Sequence, residues 1–97
     1  MRHFFRTQLR PDEVMAEADA FFPTIPLTGS GKGSRERIFA GTLGSVTLRI
    51  RPEGGHYTFV QADTDQMGES RLDRNVKKFF VQCHRKDDPS HTLEAAY

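Results

Sequence analysis

Residues 46–60 read VTLRIRPEGGHYTFV, and in them Val46, Leu48 and Ile50 alternate with Thr47, Arg49 and Arg51. A period of two marks a strand with one face turned inward. The PEGG that follows has turn chemistry, and a four-residue loop over Pro52–Gly55 sets Ile50 opposite Tyr57. That register places Val46, Leu48, Ile50, Tyr57 and Phe59 on one face. Upstream, Gly41 and Gly44 bracket another turn, and an even-length loop there aligns Phe39 with the same face. The opposite face then carries Ile38, Ala40, Thr47, Arg49, Arg51, Thr58 and Val60.

Two helical patterns flank these strands. RPDEVMAEADAFF opens with Pro11, whose fixed φ suits a first helical position, followed by Asp12 and Glu13 where the helix dipole favours anions. Val14, Ala18, Phe21 and Phe22 recur at helical spacing, and Pro23 and Pro26 stop the run. The second pattern begins at Ser70, where S-R-L-D matches a capping box in its Asp form. Leu72, Val76, Phe79, Phe80 and Cys83 line its apolar stripe, leaving Arg71, Arg74, Lys77, Lys78, Arg85 and Lys86 for the outer side. Ahead of the first helix, HFFRTQL alternates as a strand, with Phe5, Thr7 and Leu9 on one side and Phe4 and Arg6 on the other.

The order is therefore β-α-β-β-β-α: an α+β two-layer sandwich, with an antiparallel meander sheet and both helices on one face. One domain spans 1–97, with a flexible Gly-rich connector over 28–34 and a tail over 88–97. This order resembles one half of a TATA-box-binding-protein-like unit and, more loosely, a shrunken helix-grip domain of the START type, whose first helix the PDEV opening also resembles. The first resemblance implies one strand more than this order supplies and a DNA-binding sheet with intercalating Phe residues, which the register above does not place on the outer face. The second implies a longer sheet around a lipid cavity, where Phe21, Phe59, Phe79 and Phe80 are instead expected to fill the interior.

Bulk composition narrows the function. With 97 residues, 36% hydrophobic and 28% charged, the chain suits one packed core, with a radius of gyration of roughly 13 Å expected for its length. Fourteen Lys and Arg against 13 Asp and Glu mean that any basic surface must be local. A single cysteine rules out an internal disulfide and points to a reducing compartment, so a cytoplasmic location is expected. No signal-peptide pattern opens the chain, and no run approaches the ~20 apolar residues of a membrane span.

Three stretches suggest ligand chemistry and lack the residues for it. GSGKGS at 29–34 aligns Gly31 and Lys32 with a phosphate loop, but Gly33 stands where a hydroxyl is needed and Pro26 where the first Gly is needed. In DTDQMGESRLDR, Asp63, Asp65 and Gly68 match a calcium loop, while Met67 and Arg74 replace two of its oxygen ligands. Cys83 and His84 are adjacent, so on a helix they point about 100° apart and make no nucleophile and base pair. His3, His56, His84 and His91 have no zinc spacing. Catalysis, a metal and a cofactor are thus not expected.

What remains is a binding module. The uncovered sheet face, with Ile38, Thr47, Arg49, Arg51, Thr58 and Val60, is the expected contact surface for a protein partner or a second copy. Nucleic acid held by Arg49, Arg51, Lys77 and Lys78 is the alternative.

Overall fold

The computed structural model describes residues 1–32 and 35–87. Its strands are β1 (Arg2–Thr7), β2 (Thr28–Lys32), β3 (Glu36–Gly41), β4 (Gly44–Glu53) and β5 (Tyr57–Thr64). Its helices are α1 (Pro11–Phe21), followed by one 3₁₀ turn at Phe22–Thr24, and α2 (Arg71–Asp87). The α+β sandwich is as expected, with five antiparallel strands and two helices, but the sheet is not a simple meander. Strands β2 to β5 run in sequence, and β1 closes the far side beside β5, giving the order β1-β5-β4-β3-β2. The chain therefore crosses from one edge of the sheet to the other through α1.

The extra strand occupies most of the stretch expected as a flexible connector. Thr28, Gly29 and Ser30 pair with Ala40, Phe39 and Ile38, after which the register shifts before Lys32. A Gly-rich strand is weak by itself because it has little side chain to pack. Here the Phe39 ring supplies the missing surface: a Cβ on Gly29 would meet that ring at 3.4 Å. An aromatic ring laid across a neighbouring glycine is a known way to hold an edge strand. The remainder of that connector, Gly33 and Ser34, and the tail over 88–97 lie outside the described residues.

The β4–β5 hairpin turns over three residues, Gly54 to His56, with Glu53 paired to Tyr57 and Ile50 to Val60. Gly55 and His56 both adopt left-handed conformations, at φ 74° and 70°. Compared with the four-residue loop, the register moves by an odd number of residues, and an odd shift exchanges the two faces of a strand. Thr58, Val60 and Ala62 consequently point into the core, while Tyr57, Phe59 and Gln61 point out. The expected placements of Thr58 and Val60 on the open face, and of Tyr57 and Phe59 inside, are thus reversed. The hydroxyl of buried Thr58 is satisfied by donating to the Leu9 carbonyl at 2.6 Å. The β3–β4 turn has the even length expected: Gly41 pairs with Gly44, and Phe39 lies opposite Val46 inside.

Both helices cover the inner face. Val14, Met15 and Ala18 of α1 and Leu72, Val76, Phe79 and Cys83 of α2 pack on Val46, Leu48, Ile50, Val60 and Ala62. Phe22 joins the layers, stacked on Phe39 at 4.8 Å between centroids and tilted against Phe79 at 5.1 Å. The Ser70 capping box forms: the Asp73 N–H donates to Ser70 Oγ at 3.1 Å, and the Ser70 N–H donates to the Asp73 carboxylate at 3.3 Å. Among the described residues no helix is long and apolar enough to cross a membrane.

Face assignment can be checked by mutation. Leu48→Ala is expected to cost about 2–5 kcal/mol, as truncations in packed cores do, and Thr47→Ala much less. Val60→Asp, which puts a carboxylate among apolar side chains, is expected to abolish folding, whereas Phe59→Ala leaves the circular dichroism spectrum intact. A folded Val60→Asp protein would show that β5 turns its other face towards the helices. Fully buried Cys83 is expected to react with a thiol reagent only after denaturation, because burial disfavours the thiolate.

Candidate functional site

Cross-strand partners build the uncovered face in three rows. Arg2 lies opposite Asp63, then Thr47, then Ile38; Phe4 lies opposite Gln61, then Arg49, then Glu36; Arg6 lies opposite Phe59, then Arg51. Four of the expected contact residues, Ile38, Thr47, Arg49 and Arg51, are therefore brought together. Thr58 and Val60 are not, and Lys77 and Lys78 belong to the helix layer on the other side of the sheet.

Charges on the face divide into a neutralised and an unneutralised part. Asp63 accepts from Arg2 Nε at 2.8 Å, Gln61 Nε2 at 2.8 Å and Arg49 at 3.3 Å. Partial burial pushes the Asp63 carboxyl up, but these hydrogen bonds and the positive charges of Arg2 and Arg49 outweigh it and hold the pKa below the usual range. Arg49 also reaches Glu36 at 3.2 Å, and Arg6 pairs with Glu53 at 2.9 Å. Arg51 has no carboxylate within ion-pair distance among the described residues. Its guanidinium instead lies over the Phe59 ring at 4.6 Å, with Arg6 near the same ring at 5.6 Å.

Phe59 also stacks on Phe4, with centroids 5.9 Å apart and planes 29° from parallel. Phe4 keeps 60% of its surface in solvent, an unusual exposure for a Phe with a core available beneath the same sheet. Beside Phe59 opens a cleft of about 480 Å³, lined by Arg35, Glu36, Arg49, Arg51, Phe59 and Gln61. The face thus offers two stacked rings, an arginine free of carboxylates, and a recess with amide and guanidinium groups. Neither ring was among the contact residues expected from the sequence; the signal for Phe4 was its alternation against Phe5, Thr7 and Leu9. For Phe59 there was none, because its face depends on the length of one turn.

A second polar cluster lies under the edge of the sheet. His3 Nε2 is 2.7 Å from Asp73 Oδ1, and Thr64 donates to the same oxygen at 2.9 Å, while Ser70 Oγ donates to Oδ2 at 2.7 Å. Asp73 accepts only, so His3 Nε2 carries the proton. Ser, His and Asp are all present, but the serine hydroxyl is on the carboxylate and not on the imidazole, so no base activates it. The cluster joins β1 and β5 to the start of α2. The calcium-loop candidates are likewise occupied, Asp63 by Arg2, Gln61 and Arg49, and Asp65 by the Ser45 N–H at 3.0 Å. Among the described residues no three His, Cys, Asp or Glu side chains converge as a metal site would require.

No known family model and no curated protein matches the chain.

Asp73 gives a pH-dependent stability with a definite sign. Complete burial would raise its pKa, but the hydrogen bonds from His3, Ser70 and Thr64 outweigh that and lower it from 3.8 to about 2. Its contribution, on the order of 2 kcal/mol, is therefore fully present above about pH 4 and lost as pH falls towards 2. Denaturant unfolding at stepped pH is expected to show that loss in the wild type and to show it greatly reduced in Asp73→Asn, which is less stable at neutral pH. An identical acid profile in the two proteins would remove Asp73 as its source.

Proposed function

We propose that this protein is a non-enzymatic binding module whose uncovered sheet face takes single-stranded nucleic acid. The observation that carries the reading is exposed Phe4 stacked on half-buried Phe59, whose ring also lies under the guanidinium groups of Arg51 and Arg6. Exposed bases have flat faces that stack on such rings, each at a gain of roughly 1–3 kcal/mol, and guanidinium groups beside the rings meet phosphates or stack in turn. Arg51 and Arg35 supply charge that no carboxylate among the described residues cancels, and the cleft beside Phe59 gives a base or a phosphate room to enter. Arg49 serves as a scaffold for Asp63 and Glu36 more than as a free phosphate contact.

Self-association through the same face loses its support. Its expected apolar centre was Ile38 with Val60, and Val60 is in the core. The remaining apolar groups are separate: Phe4 and Phe59 towards one edge, Ile38 towards the other, with the arginine and carboxylate network between them. Burying that network against a second copy would strip water from several charges at once, which costs more than the dispersed apolar area returns. The five-strand order also supplies the further strand implied by the resemblance to half of a TATA-box-binding-protein-like unit, and Phe residues on the open face fit that resemblance too. Both points support a nucleic-acid reading at the level of architecture alone.

Fluorescence anisotropy with a mixed-sequence 20-nucleotide strand tests it. Phe4→Ala and Phe59→Ala are each expected to weaken binding about 5- to 100-fold, as loss of one stacked base does, and Arg51→Ala to weaken it while making it less sensitive to salt. Undetectable wild-type binding at low salt, or wild-type affinity in both Phe variants, rejects the sheet as the site.

A further inference from the structure

The helix layer carries a separate charged surface that the sheet reading does not use. Arg71, Arg74, Lys78 and Arg85 are exposed along α2, at helical spacing that keeps them near one stripe about 21 Å long. Lys77 is paired with Glu69, and Lys86 with Glu17 at 2.7 Å. The other four have no carboxylate within 4.0 Å among the described residues. Arg71, Arg74 and Lys78 border one hollow of about 500 Å³, whose other walls include Ile25 and Leu43.

Helix stability does not account for this pattern. Arg85 and Lys86 lie in the last turn, where cations complement the dipole, but Arg71 and Arg74 lie at the start, where cations oppose it. Two arginines are thus kept where the helix itself would favour Asp or Glu. A buried Asp73 between them serves the cap and the His3 contact, and its charge is directed inward.

We infer that this stripe of α2 binds the phosphate backbone of a nucleic-acid double helix. The choice of duplex rests on what the stripe lacks. Val81 is its one large exposed hydrophobic neighbour among the described residues, and the ring beside the cations, Phe21, is half-buried in the hollow it lines with Arg74, Lys78 and Arg85 and is packed on Phe22 and Phe79. Charge without an exposed stacking group matches a ligand that presents phosphates and turns its bases inward. The sheet face has the opposite character, with rings suited to bases that are free. A convex helix also suits the major groove, which is wide enough to admit one. Contacts of this kind position a duplex without reading its sequence.

The test uses the full chain, a 20-base-pair duplex, a 20-nucleotide single strand and phosphatidylserine vesicles, at salt concentrations from 50 to 200 mM (about the range over which such contacts weaken). The triple variant Arg71→Gln, Arg74→Gln, Lys78→Gln is expected to lose at least tenfold in duplex affinity, and its log–log salt slope to fall by about 0.9 for each contact removed. Single-strand binding is expected to stay within about twofold. The corresponding Arg71→Lys, Arg74→Lys variant, which keeps the charge, is expected to retain duplex binding, and matching thermal midpoints exclude misfolding. Duplex affinity that is unchanged in the triple variant, or lost instead in Phe4→Ala, overturns the inference, as does binding to vesicles in the absence of duplex binding. Duplex binding that depends on the helix while single-strand binding is absent supports this site and rejects the sheet reading, so the two fail separately.

Discussion

The character of the open face depends on where the chain reverses between β4 and β5. Because Glu53 pairs with Tyr57, the turn has three residues, and alternate side chains of β5 are assigned from that point onward. One set, Thr58, Val60 and Ala62, completes the core; the other, Tyr57, Phe59, Gln61 and Asp63, becomes the surface. A turn one residue longer or shorter would put Phe59 inside and Val60 in water. The cost of holding the turn is borne by His56, a non-glycine residue at φ 70°, and is small beside the apolar burial of a whole strand face.

A second constraint ties the layers together. Asp73 is fully buried, and a buried carboxylate is tolerable only when its oxygens are satisfied. Its partners come from β1, β5 and the N-cap of α2, so one side chain fixes the edge strand, its neighbour and the helix start together. β1 has only one strand neighbour, and this contact and the Phe5–Phe80 packing at 4.3 Å add to its pairing with β5 in holding the edge. Since Phe4 and Arg6 sit on β1, the cluster inside the sandwich also positions the rings and the guanidinium outside it. Core and open face are thus linked through a single strand whose alternate residues serve both.

These dependencies explain which parts were legible in the sequence. Helix starts were, because Pro11 and the Ser70–Asp73 box are local signals whose chemistry is complete within four residues. Strand β4 was, because its alternation is unbroken from Val46 to Arg51. Strand β2 was not: TGSGK has no alternation to detect, and the surface that stabilises it belongs to Phe39, ten residues away from Gly29. The faces of β5 were not either, because PEGGH accommodates turns of three or four residues with similar chemistry while the outcome for every following side chain is opposite. Asp73 could be read as a cap but not as a hub, since His3 and Thr64 reach it only in the folded chain. The site was accordingly half visible: Ile38, Thr47, Arg49 and Arg51 followed from β4 and its partner, whereas the ring pair needed the turn.

A near-balanced net charge constrains the total and not its distribution, so it does not by itself argue against a polyanionic ligand. Acidic side chains are placed where they neutralise particular cations: Asp63 and Glu36 on Arg2 and Arg49, Glu53 on Arg6, Asp19 on Arg37, Glu17 on Lys86 and Glu69 on Lys77. Among the described residues, Arg35 and Arg51 at the sheet and Arg71, Arg74, Lys78 and Arg85 on the helix have no carboxylate within ion-pair distance. Long-range steering by the whole molecule would be weak at a net charge of +1, so affinity must come from short-range contact within a Debye length of about 8–10 Å. Under that condition the two proposed ligands differ by what accompanies the cations, which is the Phe4–Phe59 pair on one side of the sandwich and a helix without an exposed ring on the other.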